Sequence, residues 1–291
     1  MYVIVDFFYF SLFVLIQFLQ RNKGRERWLR QDWLLILELT IYTIPVFALL
    51  ALQQDLGTAL VFLAIFAGLV LISGVSWKII LPVVLFIVGG LAGFLFLFLS
   101  EGGRAFLHQQ LRMPTYQINR ILAWLNPFDY AQTTTYQQAQ GQLAIASGGV
   151  SGQGFNVSNL LVPVRESDMI FTVIAEDFGF VGSLVLLILY VFLIYRILKI
   201  TLQSNNQFYT YISIGFIMML VFHIFENVGA VTGLLPLTGI PLPFISQGGS
   251  SIISNLIGVG LVLSIYNHSS KKKEPEEGVP IRKKVVLKRA Q

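Results

Sequence analysis

The 291-residue chain is 55% hydrophobic and only 12% charged, against roughly 45–50% and about 25% in soluble domains, which excludes an ordinary water-soluble globule. It contains no cysteine, so disulfides, thiolate nucleophiles and thiol-bound zinc are excluded. The net charge of +5 sits between apolar runs and in the C-terminal tail, where membrane topology accounts for it, and no nucleic-acid partner is expected.

Apolar runs long enough to cross about 30 Å of hydrocarbon lie near residues 2–20, 33–52, 57–75, 77–99, 169–200, 209–235 and 250–267. The pattern predicts an all-α polytopic membrane protein of about seven transmembrane helices, with residues 1–268 as the transmembrane domain and 269–291 as a disordered basic tail. The connection 21–32 carries Arg21, Lys23, Arg25, Arg27 and Arg30, and the tail carries Lys271, Lys272, Lys273 and five further basic residues from Arg282 to Arg289. Positive charge marks the cytoplasmic side, and the tail has affinity for anionic lipid. Alternation from these two anchors puts residues 53–56, 101–168 and 237–249 outside and 199–207 inside. It also puts the first residue outside without a basic flank before the first span, so we expect an N-terminal portion to precede Met1.

The third span opens on Asp55-Leu56-Gly57-Thr58, where the carboxylate reads as a helix N-cap. Gly89-x-x-x-Gly93 in the fourth has a helix-packing spacing that is common in apolar runs. The external stretch 101–168 is too long for a simple connector, and loops of that size are uncommon unless functional. Within it, Tyr116 to Trp124 is amphipathic, Asn126-Pro127-Phe128-Asp129 reads as a turn, and Gly148-Gly149 with Gly152-x-Gly154 provides bends. Short helices on or in the membrane surface are expected there. Asn156-Val157-Ser158 fits a glycosylation sequon, which we discount because nothing else points to a eukaryotic secretory protein.

Asp168 stands where the loop enters the fifth span, and by position alone it reads as an N-cap. Thr172 and Glu176 follow at i+4 and i+8, and Glu176 lies about two turns inside the span, where an ionisable group normally faces a partner or a cavity. His223, Glu226 and Asn227 in the sixth span are similarly expensive and suggest internal pairing or a polar pathway; they are too few to bind a metal. The stretch from Leu237 to Ser251 contains Pro241, Pro243, Gly248 and Gly249 and cannot be continuous helix. Non-helical backbone at membrane depth is tolerated where it is buried or lines a wet cavity.

These motifs together resemble the SEDS proteins (shape, elongation, division and sporulation), most closely the RodA branch. The resemblance rests on Gln54-Asp55-Leu56-Gly57-Thr58-Ala59, Asn126-Pro127-Phe128, Tyr136-Gln137, Gly148-Gly149 with Gly152-Gln153-Gly154, the run from Asp168 to Glu176, and the run from Gly233 to Ser251. It covers about residues 33–267 in the family's order. It implies a peptidoglycan glycosyltransferase of the bacterial cell membrane that polymerises lipid II during elongation and shape maintenance, beside a class B penicillin-binding transpeptidase and the elongation machinery. It also implies that Asp168 is catalytic, and it makes Asp55, Gln137, Glu176, Ser246, Gln247, Gly248 and Gly249 candidates for substrate binding. The family typically has ten spans, so three are expected before Met1. Gln54 replaces the family's usual proline, and Val164-Arg165-Glu166-Ser167 stands where Glu-Ala-His-Thr is common.

One carboxylate suffices for the implied chemistry. Lipid II is joined through an α-linked pyrophosphate and the product bond is β, so a single inverting displacement is enough, with Asp168 as general base on the acceptor's sugar 4-hydroxyl. A glycoside hydrolase needs a second carboxyl as acid, whereas pyrophosphate leaves once its charge is neutralised. Arginine's fork suits phosphate oxygens; Arg120 and Arg165 are the substrate-binding candidates for this, with Arg104 and Arg112 also on the outer face. No cofactor is required, no metal site is expected, and a divalent cation is a possible helper. The alternatives are a lipid II flippase, which needs the lipid cavity but no external base, and a non-enzymatic scaffold for the transpeptidase.

Overall fold

The computed structural model describes residues 29–53, 55–110, 115–128, 136–155, 157, 162–204 and 206–271. The first predicted span, most of the basic connection after it and the tail from Lys272 lie outside the described residues. Among the described residues there is no strand, and the helices in order are α1 (Leu29–Gln53), α2 (Leu56–Ile72), α3 (Trp77–Leu99), α4 (Glu101–Gln109), α5 (Thr115–Leu125), α6 (Tyr136–Gly148), α7 (Ile170–Gln203), α8 (Gln207–Val231) and α9 (Gly249–Lys271). Five of them, α1, α3, α7, α8 and α9, are long and apolar enough to cross a membrane, and α2, predicted as a span, is a shorter apolar helix of 17 residues. The protein is a multi-pass membrane protein. Apolar side chains on α3 face outward, with Phe86 82% and Phe96 81% exposed, as suits a helix bathed in lipid. Gly89 and Gly93 have nothing near them among the described residues.

Helix starts follow local chemistry. Asp55, Ser76, Ser100 and Asn206 cap α2, α3, α4 and α8, each accepting a backbone N–H of the first turn. The central helix is α8, which packs along α2 and α7 and also meets α6 and α9. The main core joins Leu39 of α1, Ile65 and Leu69 of α2, Ile79 of α3, Leu220 of α8 and Val262 of α9. At one end of this bundle the buried Asp32 of α1 accepts the Ser76 N–H at 3.0 Å. These two residues fall on the same predicted side of the membrane.

The stretch 101–168, expected on the outer face, is not a structureless loop among the described residues. It contains α4, α5 and α6, and α5 matches the predicted amphipathic piece. Phe98 of α3, Leu107 of α4 and Ile118 of α5 form a small core of their own, while α6 lies along α7. The stretch from 232 to 248 is non-helical, as its prolines and glycines require.

At 34 residues, α7 would run about 51 Å if straight, well beyond the hydrocarbon thickness. It is opened at Gly179, whose φ of 67° and ψ of −162° lie in a region essentially restricted to glycine. The freed groups find new partners in the glycine turn after α6. Phe180 N–H donates to Gly149 O at 2.9 Å and Val181 N–H to Val150 O at 3.1 Å, while Glu176 O accepts from Gln153 N–H at 2.9 Å and Asp177 O from Gly154 N–H at 3.1 Å. A Cβ on Gly179 would also sit 2.3 Å from Gly152 N. We predict that Gly179→Ala destabilises the protein by roughly 3 kcal/mol, from backbone strain plus overpacking, read as a lowered melting temperature in detergent.

Candidate functional site

Asp168 occupies the last turn before α7, and its surroundings come from four other parts of the chain. The N-cap of α7 is Met169, and no side chain caps the helix. Asp168 therefore forgoes the cap that its position suggests, an interaction worth about 1 kcal/mol. Its Oδ1 is buried without a hydrogen-bond partner, and a Cβ placed on Gly239 would lie 3.5 Å from its Oδ2. Burial holds the carboxyl above its ordinary range, partly offset by a backbone hydrogen bond and by the positive charge of Arg120. A desolvated carboxylate with one oxygen left without a partner and an arginine's charge acting on it is a functional-site signature.

Arg120 projects from α5 and donates to Thr238 O at 3.2 Å. On the same helix Trp124 donates to Gly233 O at 3.1 Å, so α5 is pinned at two points to the bent stretch after α8. That stretch is held from below by Glu226, 2% exposed in α8, whose Oε1 accepts both the N–H, at 3.1 Å, and the hydroxyl of Thr238. Glu226 also faces Asp168 and Arg120 electrostatically. Neighbouring Asn227 donates to Asp168 O at 2.7 Å and Ile240 O at 2.8 Å. The start of α2 closes another side: a Cβ on Gly57 would sit 3.4 Å from Thr238 O and 3.1 Å from Ile240.

Of the residues singled out by sequence, Arg120 lies near enough to Asp168 for its charge to act on the carboxyl. Arg165 and Glu176 pair with each other, the glutamate 1% exposed. Ser246 Oγ donates to Ser167 O at 2.6 Å, and Gln247 N–H donates to Glu166 O at 2.8 Å. Gln137 donates to Pro163 O at 3.4 Å. Asp55 is committed locally, one oxygen accepting Thr58 N–H at 3.0 Å and the other its hydroxyl at 2.7 Å. Gly249 begins α9 and Gly248 immediately precedes it, with Ile252 N–H donating to Gly248 O at 3.0 Å. Arg104 is on α4, and Arg112 lies outside the described residues. Glu226, Asn227 and Thr238 are site residues that sequence reasoning treated as internal pairing, a polar pathway or irregular backbone. The signal available was their cost, a glutamate and an asparagine inside a span. Among the described residues no group of three or more His, Asp or Glu could hold a metal ion.

Comparison with known proteins supplies the lineage. Residues 7–271 match the cell cycle protein family of FtsW, RodA and SpoVE. Peptidoglycan glycosyltransferase MrdB of Escherichia coli K12 is 37% identical over 226 residues, 76% of this chain and 57% of that protein. A probable peptidoglycan glycosyltransferase FtsW of Bacillus subtilis is 32% identical over 256 residues, 85% of this chain and 62% of the relative. Among solved structures, a chain of a peptidoglycan synthase complex superposes with a TM-score of 0.67 at 30% identity, covering 89% of this chain and 68% of that one. The rod shape determining protein RodA of Thermus thermophilus gives 0.56 at 29% identity, covering 89% and 63%. The chain thus spans a little over half the length of the curated relatives it matches. With the motifs and helices in the family's order, this chain belongs to the FtsW/RodA/SpoVE family, the SEDS proteins.

Proposed function

We propose that the protein is a peptidoglycan glycosyltransferase that polymerises lipid II in the bacterial cell membrane, with Asp168 as the general base of an inverting transfer. The observation that carries this is the Asp168 carboxylate, buried at Oδ1, withheld from capping and flanked by Arg120. Asp168 takes the proton of the acceptor's 4-hydroxyl as that oxygen attacks the donor's anomeric carbon, and the pyrophosphate departs as the new bond forms. Desolvation makes the carboxylate a stronger base near neutral pH than one in water.

Arg120 is the arginine we assign to the departing pyrophosphate, because its charge acts on Asp168, whereas Arg165 is held by the buried Glu176. A divalent cation accompanying the pyrophosphate would be compatible with this role, and the transfer itself needs no resident cofactor. An apolar groove of about 400 Å³ between α7 and α8, reaching Gly229, Thr232 and Leu234, offers the kind of surface a polyprenyl chain needs. We place the site on the outer face and the basic tail in the cytoplasm, and propose a class B penicillin-binding transpeptidase and the elongation machinery as partners.

A flippase would need the same lipid contacts without the base. The two readings separate in vesicles containing the full-length protein, its transpeptidase partner and lipid II. Glycan polymer formed from lipid II supplied on the site's own side is the expected result. Lipid II movement between leaflets without polymer would replace the transferase reading with the flippase.

A further inference from the structure

Three consecutive carbonyls in the turn that delivers Asp168 are each held by a different donor. Glu166 O accepts from Gln247 N–H at 2.8 Å, Ser167 O from Ser246 Oγ at 2.6 Å, and Asp168 O from Asn227 Nδ2 at 2.7 Å. The donors are themselves fixed. Ser246, 1% exposed, accepts Leu242 N–H at 2.7 Å on the same oxygen, and Asn227, also 1% exposed, spans to Ile240 O at 2.8 Å. Both side chains spend their donors on backbone and are too buried to reach a bound sugar.

An aspartate just outside a helix start has free amides within reach, and rotation of its flanking peptides would bring its oxygens onto them. With the carbonyls of residues 167 and 168 tied, those peptides cannot turn. We propose that Ser246 and Asn227 are positioning residues for Asp168, locking its flanking peptides so that the carboxylate stays off the α7 amides and faces the reacting hydroxyl. The inference rests on the general-base reading above. The charged groups facing this carboxylate are Arg120 of α5 and Glu226 of α8, while Arg165 and Glu176 neutralise each other along α7. Losing the lock would exchange a desolvated carboxylate for one bonded to helix amides, a weaker base.

The test is the rate of lipid II polymerisation against substrate concentration and pH, using the full-length protein with its partner. Ser246→Ala is expected to lower kcat about 10- to 100-fold, as misplacement of a catalytic group does, with KM within about twofold. The acid limb of its pH profile should move to lower pH, and Ser246→Thr should restore most of the rate. A raised KM at unchanged kcat would make Ser246 a substrate contact and overturn the proposal. So would a wild-type rate, or a kcat loss with the acid limb unmoved. If Ser246→Ala does not fold, Asn227→Gln displaces the donor by one methylene and must show the same lower kcat and shifted limb, or the proposal fails. Asp168→Asn run in parallel separates the two layers: full activity there defeats the base itself, whereas inactivity there with Ser246→Ala at the wild-type rate defeats only the lock.

Discussion

Asp168→Asn is expected to lower kcat for lipid II polymerisation by about 10³-fold, within the 10²- to 10⁴-fold range of general-base catalysis, with lipid II binding nearly unchanged. The substitution keeps the shape of the side chain and removes its capacity to take a proton. It should not unfold the protein. Burial raises the carboxyl's pKa in the folded state, so ionised Asp168 costs stability at any pH above its ordinary value, and the full cost is reached above the raised one. A neutral amide escapes that cost, so the melting temperature should stay level or rise while activity is lost, the opposition expected of a group selected for chemistry. A scaffold would show no such opposition, because its rate would survive the change.

The second large effect concerns folding. Arg165→Ala leaves Glu176, 1% exposed, without its cation; because the arginine is itself 25% exposed, the expected cost is about 3 kcal/mol, the lower end of the range for breaking a buried pair from one side. Replacing both partners, Arg165→Met with Glu176→Leu, should recover most of the loss, since apolar packing often matches a buried ion pair. Thermal unfolding in lipid nanodiscs checks both statements. A double variant as unstable as Arg165→Ala would mean that the charges matter for more than each other.

The five spans α1, α3, α7, α8 and α9 were legible because an apolar run of about 20 residues rarely forms anything but a membrane-crossing helix, and the bend after α8 because Pro241 and Pro243 lack donors. Chain position was a poorer guide at Asp168. Helix-start statistics favour a cap there, yet Met169 takes the N-cap position because neighbouring carbonyls are tied by residues 59 and 79 positions away. Such ties belong to tertiary packing, and no local pattern announces them. Asp55 is the converse, a motif residue whose carboxylate is spent on Thr58 as a cap should be. Glu226 and Asn227 were visible as expensive residues, but their partners Thr238 and Ile240 lie across a bend with no periodicity to set the register. Arg165 and Glu176 were separately noticed as outer-face and membrane charges. Their pairing depends on how the turn from Pro163 to Met169 folds back on α7, which the spacing of 11 residues does not reveal.

The most direct measurement for the central claim is the pH dependence of kcat for glycan polymerisation, comparing wild type with Asp168→Asn. If the buried carboxylate beside Arg120 is the base, wild-type activity falls on acidification through a single ionisation above the ordinary carboxylate values of about 3.9–4.3. That limb should be absent from the residual rate of the variant. A wild-type rate that stays flat into the ordinary carboxylate range, or the same limb in Asp168→Asn, would contradict it.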